Sequence, residues 1–220
     1  MKARENNWKT LNGKQKLVYF KDYYLVQVIV ILAVLAMIGY FCFSIFHKTE
    51  IVLYVACIDD VLEENELKDL ERRLNEELGC DGTNTTVMVD DTFYTSEDGI
   101  HKLEVYLSSS QVDLIVAEEE TYKQLASFGF MQDLNHVMDA KELDENKKIL
   151  LYTAGYKETD DISFEDQETG QGEILPYGIA IQDQAKYKEL AGKLEHPIIG
   201  CTANTKQSKN AKKILELMIN

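Results

Sequence analysis

The sequence predicts one α/β domain that follows a single transmembrane helix. Two observations support this prediction. Residues 25–46 form an uncharged apolar run, and the chain after it alternates β-branched apolar runs with segments whose apolar residues recur at helical spacing. Such alternation is typical of a mostly parallel sheet with helices on both faces and right-handed crossovers. The expected fold is a three-layer α/β domain over residues 47–220.

The apolar run extends from Leu25 to Phe46 and contains 22 residues. At about 1.5 Å per residue, a helix of this length crosses a hydrocarbon core of roughly 30 Å. A cleaved signal peptide is the alternative, but its apolar region has only about 7 to 15 residues and ends in small ones. This run ends in bulky aromatic residues, so we expect an uncleaved anchor helix.

The charges on the two sides of this run predict its orientation. Residues 1–24 carry six basic and two acidic side chains, whereas the residues just after the run carry few basic ones. Excess lysine and arginine stay on the cytoplasmic side. We therefore expect a cytoplasmic head of residues 1–24, a domain of residues 47–220 outside the cytoplasm, and the lipid bilayer of the cell membrane as a partner.

The domain is strongly acidic. Residues 47–220 contain 17 basic and 36 acidic side chains, a formal charge of −19. This charge argues against nucleic acid as a partner, because phosphate contacts need a basic face. Solubility is one explanation for the charge, and the capture of a cation or a basic ligand is another.

The cysteines of the domain are expected to be free thiols. Cys57, Cys80 and Cys201 match no zinc-binding spacing. On the predicted sheet Cys57 and Cys201 lie three strand spacings apart, about 14 Å. A disulfide requires Cα atoms within about 7 Å, so no bridge is predicted.

The predicted elements follow one another closely along the domain. The predicted strands are residues 50–58, 85–91, 112–117, 177–181 and 197–202. The predicted helices are residues 61–78, 96–107, 118–128, 131–137, 141–152, 183–194 and 206–218. Asp59 or Asp60 is expected to cap the first helix, and Gly79 to stop it. Residues 157–173 are polar and acidic, which predicts an exposed loop or hairpin tip.

Two stretches of the domain resemble a known family. The residues that carry the resemblance are Ser108, Ser109, Ser110, Asp113, Leu114, Ala117, Tyr122, Gly129, Asp133, Leu134, Asn204, Lys206, Ala211, Lys212 and Leu215. They resemble the first lobe of bacterial extracellular solute-binding proteins, the receptors of ABC importers. The resemblance implies a sheet order of 2-1-3-n-4, in which residues 177–181 are the antiparallel strand n. Since a second lobe does not fit in this length, it implies a membrane-anchored, single-lobe relative.

Ligands of parallel α/β sheets bind outside the carboxyl ends of the strands. The candidate binding residues at these ends are Asp59, Asp60, Asp90, Asp91, Thr92, Tyr94 and Glu118. Carboxylates suit Ca²⁺ or Mg²⁺, with Asp59, Asp90 and Asp91 as the expected ligands if a metal binds. Together with an aromatic ring they also suit an amine. The alternative is that these acids cap helices and complement helix dipoles.

The expected function is recognition and not catalysis. His101, His136 and His196 lie in different segments, and the sequence contains no nucleophile, zinc-protease or phosphate-loop motif. No cofactor other than a divalent cation is expected. The expected ligand is a cation, a small basic molecule or a neighbouring membrane protein. Two alternatives remain open: a scaffold or assembly subunit of a membrane complex without its own ligand, and a receptor component of an ABC importer.

Overall fold

The computed structural model of the chain describes residues 12–46, 49–157, 170–182, 188–190 and 192–219. The predictions made for residues 1–11, for residues 158–169 of the acidic loop and for residues 183–187 and 191 of the predicted helix over 183–194 lie outside these residues. In the described part of that predicted helix, Lys188–Leu190 form only a 3-10 turn. The chain divides into two compact units, Met1–Lys48 and Thr49–Asn220.

The first unit contains two helices, α1 (Gly13–Tyr23) and α2 (Leu25–Phe46). Over Leu25–Phe43, α2 is the one helix of the described residues that is long and apolar enough to cross a membrane. Three lysines of the predicted cytoplasmic head, Lys14, Lys16 and Lys21, lie on α1.

The second unit is an α/β structure with a six-stranded mixed sheet, which confirms the predicted fold class at this level. Its strands are β1 (Glu50–Ile58), β2 (Thr85–Phe93), β3 (Leu114–Glu118), β4 (Leu150–Ala154), β5 (Ile174–Ala180) and β6 (Pro197–Cys201). The order is β2-β1-β3-β6-β5-β4. The strands β2, β1 and β3 are parallel, whereas β6, β5 and β4 each pair antiparallel with the preceding neighbour.

This order differs from the predicted 2-1-3-n-4. The strand beside β3 is β6, and β6 is antiparallel to it, with Ile115 opposite Gly200. The strand β5, which contains residues 177–180 of the predicted strand n, is one position further out and runs in the same direction as β3. A short apolar strand carries no local signal for its neighbour, so the pattern could not distinguish these two arrangements.

The helices of the unit are α3 (Glu64–Leu78), α4 (Glu97–Ser108), α5 (Glu119–Ser127), α6 (Ala140–Glu145) and α7 (Ser208–Ile219). Gly79 ends α3 in the left-handed conformation, as predicted, but the N-cap of α3 is Glu63 and not Asp59 or Asp60. The predicted helix over 131–137 is only a 3-10 turn at Leu134–His136. The predicted helix over 141–152 is confirmed only in its first part, α6, whereas its last residues form the edge strand β4.

Alternating residues of β1 supply two hydrophobic clusters, one on each face of the sheet. Leu53, Val55 and Cys57 belong to the cluster that packs under α3 and α7. Tyr54, Ala56 and Ile58 belong to the cluster that packs under α4 and α5. Because successive side chains of a strand point to opposite faces, a strand covered on both sides has the continuous apolar sequence seen here.

Tyr122 of α5 is fully buried across two glycines of neighbouring strands. Its hydroxyl donates to the carbonyl oxygen of Tyr177 at 2.8 Å. A Cβ at Gly200 would overlap this hydroxyl and lie 2.6 Å from the same carbonyl oxygen, and a Cβ at Gly178 would lie 2.9 Å from the ring. The two glycines therefore create the space in which α5 packs on β5 and β6.

Asp113 joins the start of β3 to two other parts of the unit. It is buried, and its carboxylate accepts the amide N–H of Tyr54 at 2.9 Å and the hydroxyl of Thr205 at 2.5 Å. The first bond ties β3 to β1, and the second ties it to the loop before α7. Burial raises the pKa of Asp113, although the hydrogen bonds from Thr205, Tyr54 and Gln207 oppose this rise.

The two edge strands of the sheet, β2 and β4, differ in whether their outer backbone groups have partners. On the outer side of β2, the amide of Val87 donates to the side chain of Asn75 at 2.7 Å, and the amide of Val89 donates to Glu71 at 3.0 Å. Helix α3 therefore satisfies this edge with its own side chains. At the other edge, β4 pairs with β5 alone among the described strands.

The four cysteines are free, in agreement with the prediction. Cys57 and Cys201 are buried in the same cluster. Because β6 lies beside β3, only β3 separates their strands, which gives two strand spacings, about 10 Å, instead of the predicted three.

Candidate functional site

The carboxyl ends of the parallel strands β1, β2 and β3 lie at the same end of the sheet, which brings the predicted site residues to that end. Asp59 and Asp60 follow β1, and Glu118 is the last residue of β3. From the end of β2 come Asp90, Asp91, Thr92 and, one residue beyond the strand, Tyr94.

Asp59 binds a neighbouring loop. It has a left-handed backbone conformation, with a φ of 56°, which Asp tolerates better than most residues. Its carboxylate accepts the amide N–H of Thr95 at 2.9 Å and also the Thr95 hydroxyl. Asp59 thus connects the end of β1 to the loop between β2 and α4.

Asp60 is almost completely buried, with 1% of its surface exposed. One carboxylate oxygen accepts the amide N–H of Lys193 at 2.9 Å, and the other has no hydrogen-bond partner among the described residues. The backbone of Gly192 lies so close to this carboxylate that a Cβ there would overlap it. Burial raises the pKa of Asp60 above its usual 3.8, against the opposing effect of the amides of Lys193 and Val61.

Substitution of Asp60 should therefore change how stability depends on pH. The folded protein holds the Asp60 proton more tightly than the unfolded chain does, so this group stabilises the fold most below pH 3.8 and loses that contribution as the pH rises through its raised pKa. We expect Asp60→Asn to raise the unfolding free energy by about 1 kcal/mol at pH 7 and not at pH 3. Urea denaturation at both pH values measures this, and an equal change at both would contradict it.

Asp90 is surrounded by donors. Its carboxylate accepts the Tyr54 hydroxyl at 2.6 Å and the amide and hydroxyl of Thr92 at 2.9 and 2.5 Å. The ammonium of Lys102, on α4, lies 3.5 Å from the same carboxylate and donates to the Thr92 hydroxyl. Burial raises the pKa of Asp90, but the hydrogen bonds from Thr92 and Tyr54 outweigh it and hold the pKa below its usual value.

Aromatic rings complete the surroundings of the Lys102 ammonium. It lies 4.1 Å from the centre of the Phe93 ring and 5.5 Å from that of Tyr106. The rings of Tyr54, Phe93 and Tyr106 contact one another edge to face. Carboxylate, hydroxyl and aromatic groups are the combination that the sequence predicts for an amine, and here they surround a cation of the chain itself.

The other predicted residues do not join this group. Asp91 points to the opposite face of the sheet, where it accepts the amide N–H of Leu62 at 2.9 Å. Glu118 accepts the amides of Glu195 and His196 at 3.0 and 2.9 Å, and so holds the loop before β6. Tyr94 is exposed. The carboxylates at the strand ends are therefore distributed among separate loop contacts.

Asp59, Asp90 and Asp91 do not form a group with the spacing of metal ligands. In the part of the chain that the structure describes, the one group of three or more such side chains with ligand atoms within 4.8 Å of one another is Asp139, Glu142 and Glu216. The ammonium of Lys212 lies 3.0 Å from Asp139 and 3.4 Å from Glu216. That cluster therefore already holds a cation of the chain, which contacts two of its three carboxylates.

An apolar cleft lies between α4 and α5, with a volume of about 390 Å³. We call it the α4–α5 cleft. Its lining residues are Thr95, Ile100, Leu103, Glu104, Leu107, Thr121, Gln124, Leu125, Phe128 and Phe130. Phe128 is 48% exposed at the surface, and its ring centre lies 6.4 Å from that of Phe130. Ligand pockets typically have volumes of about 300–1,000 Å³, apolar walls and a few polar groups, so this cleft has the character of a binding site.

The sequence analysis did not predict this cleft. Leu103 and Leu107 are one helical turn apart, and so are Gln124 and Phe128. This spacing predicts that each pair lies on one face of its helix. Such spacing, however, indicates a core-facing helix surface in general and does not reveal a gap between two helices. The one available signal was Phe128, a large apolar residue next to Gly129 at the end of a helix.

The comparisons with known proteins add no relative. No protein family matches the chain, and no curated protein matches it.

Proposed function

We propose that this chain is a single-pass membrane protein that recognises a ligand in the α4–α5 cleft of its α/β unit. In this proposal α2 is the anchor in the cell membrane, α1 belongs to the cytoplasmic head, and residues 49–220 lie outside the cytoplasm as a three-layer lobe like that of solute-binding proteins. The observation that carries the proposal is the cleft: an apolar cavity of about 390 Å³ with an exposed phenylalanine at its surface.

Two further observations favour binding over catalysis. The candidate acid–base residues His101 and His136 have side chains that are 79% and 73% exposed, and each lies beside a carboxylate of its own helical turn. The carboxylates at the strand ends hold loops. These groups have structural partners, whereas the walls of the cleft offer apolar surface to a ligand.

A cysteine in the cleft tests both parts of the proposal. Gln124 is exposed and lines the cleft, so in a Cys80→Ser background Gln124→Cys should react with a membrane-impermeant maleimide in intact cells. A panel of amino acids, polyamines and small aromatic compounds should include one that slows this reaction at least about tenfold by occupying the cleft. Mass spectrometry of the labelled chain measures the rate.

Two variants serve as controls for this experiment. Glu145→Cys, whose parent side chain is 64% exposed on α6, should react in intact cells and remain unprotected by the panel. Lys14→Cys, on α1, should react only after lysis. Labelling of Lys14→Cys and not Gln124→Cys in intact cells would overturn the orientation, and labelling of Gln124→Cys that no compound slows would overturn the ligand site.

A second candidate is a scaffold subunit that binds another membrane protein and no small ligand. The observation that favours it is the exposed apolar surface near β4, where Tyr152, Tyr156 and Ile174 are 40%, 47% and 71% exposed. Exposed apolar patches of this kind mark protein contacts. A receptor component of an ABC importer is a separate candidate, in which this lobe would pair with a second lobe.

A further inference from the structure

The α4–α5 cleft has a charged group of only one sign. Glu104 is the one charged residue in its lining, and the lining contains no lysine or arginine among the described residues. The Glu104 side chain is 53% exposed, and its side-chain partner is the imidazole of His101, 3.4 Å away on the same helix. The carboxylate is therefore accessible to a ligand in the cleft.

A second carboxylate lies next to one end of the cleft. Thr95 lines the cleft and donates both its amide and its hydroxyl to Asp59. The nearby lysines are directed elsewhere: the Lys102 ammonium contacts Asp90, Thr92 and the Phe93 ring, and Lys123 pairs with Glu119 at 2.6 Å. The local charge at the cleft is negative, in agreement with the formal charge of −19 over residues 47–220.

The apolar walls determine the rest of the ligand. Leu103, Leu107 and Leu125 are 1%, 4% and 5% exposed and form the inner part of the cleft. The rings of Phe128 and Phe130 lie toward its surface, where an aromatic face also attracts a cation. A ligand that satisfies both features has an apolar or aromatic body and a positive charge.

From this arrangement we infer that the α4–α5 cleft binds small amines with an apolar body, with the ammonium at Glu104 and the body between α4 and α5. This inference rests on the proposed function and specifies the ligand class of the same site. A carboxylic acid of the same shape would meet the Glu104 carboxylate and is rejected. A neutral molecule of the same shape gains the apolar contacts without the ion pair.

Three matched probes test the inference: 2-phenylethylamine, 2-phenylethanol and 3-phenylpropionate. The full chain is placed in phosphatidylcholine nanodiscs at pH 7.5, and the methyl signals of Ile100, Leu103, Leu107 and Leu125 are titrated by NMR. Residue-specific signals separate binding in the cleft from partition into lipid. An exposed ion pair is worth up to a factor of about five in affinity, so the amine should bind about fivefold tighter than the alcohol, and the acid weakest.

Two variants that each remove one negative charge show which carboxylate causes the preference for the amine over the alcohol. Glu104→Gln should make the amine and the alcohol bind equally. Glu145→Gln, which removes an exposed acid from α6, should leave the preference for the amine unchanged.

Equal binding of the amine and the alcohol to the unmodified chain would overturn the amine inference and leave the proposed ligand site intact. If no probe moves the four methyl signals at millimolar concentration, the proposed site and the inference both fail.

Discussion

Gly200→Ala is expected to lower the free energy of unfolding by about 3 kcal/mol or more, because the new methyl group has no room in the core. Its Cβ would overlap the Tyr122 hydroxyl and lie 2.6 Å from the backbone carbonyl oxygen of Tyr177. The hydroxyl belongs to a fully buried ring and the carbonyl to the sheet, so neither can move cheaply. Urea denaturation of the full chain, followed by circular dichroism, measures the loss.

A second glycine variant separates overlap from backbone strain. Gly79 has a φ of 73° and open space around its Cβ position, so Gly79→Ala costs only conformational strain, about 1 kcal/mol. Tyr122→Phe, combined with Gly200→Ala, removes one of the two overlaps, and the double variant should be more stable than the sum of the single losses predicts. A loss below about 1 kcal/mol for Gly200→Ala would show that α5 does not pack as described.

Asp113→Asn is expected to destabilise the unit by about 1–3 kcal/mol at pH 7. Asparagine has one acceptor oxygen where aspartate has two, and its NH₂ group would face either the amide N–H of Tyr54 or the Thr205 hydroxyl. In the first case the buried amide of Tyr54 loses its acceptor. In the second case the Thr205 hydroxyl can accept from the NH₂ group, but the amide of Gln207 loses the oxygen that it contacts. Urea denaturation compared with the unmodified chain measures the effect.

Asp81→Asn is the matched control for this variant. Asp81 likewise accepts backbone amides, those of Thr83, Asn84 and Thr85, at 2.9, 2.7 and 3.1 Å, but in an exposed loop. Water can replace a lost acceptor there, so the loss should be clearly smaller than at Asp113. Equal losses at the two positions would show that burial of Asp113 does not determine its contribution.

The sequence predicted well those parts of the fold that depend on local patterns. The continuous apolar run Glu50–Ile58 predicted a strand covered on both faces, because no alternation with polar residues is present. The periodicity before Gly79 predicted α3, since a glycine in the left-handed conformation commonly ends a helix.

The errors concern features that depend on distant contacts. Leu150–Ala154 continues an apolar spacing compatible with a helix, and only its pairing with β5, more than 20 residues later, makes it a strand. The position of β6 beside β3 is likewise decided by packing and not by its own five residues.

The same reason explains how the candidate site differs from the prediction. The sequence placed Asp59, Asp90 and Glu118 at one edge of the sheet, because parallel strands end together. It could not predict that Lys102, twelve residues after Asp90, would reach the Asp90 carboxylate from α4 and supply the cation. Nor could it predict a gap between α4 and α5, because a cavity is defined by side chains that do not meet.

The protection of one sheet edge limits how copies of this unit can associate through backbone pairing. Side chains of α3 satisfy the outer amides of Val87 and Val89, so β2 offers no template for a further strand. Among the strands that the structure describes, the β4 edge is left for such pairing, so each unit can pair in this way with one other. Units that pair through one edge can form a closed pair and cannot grow into a fibre by adding strands.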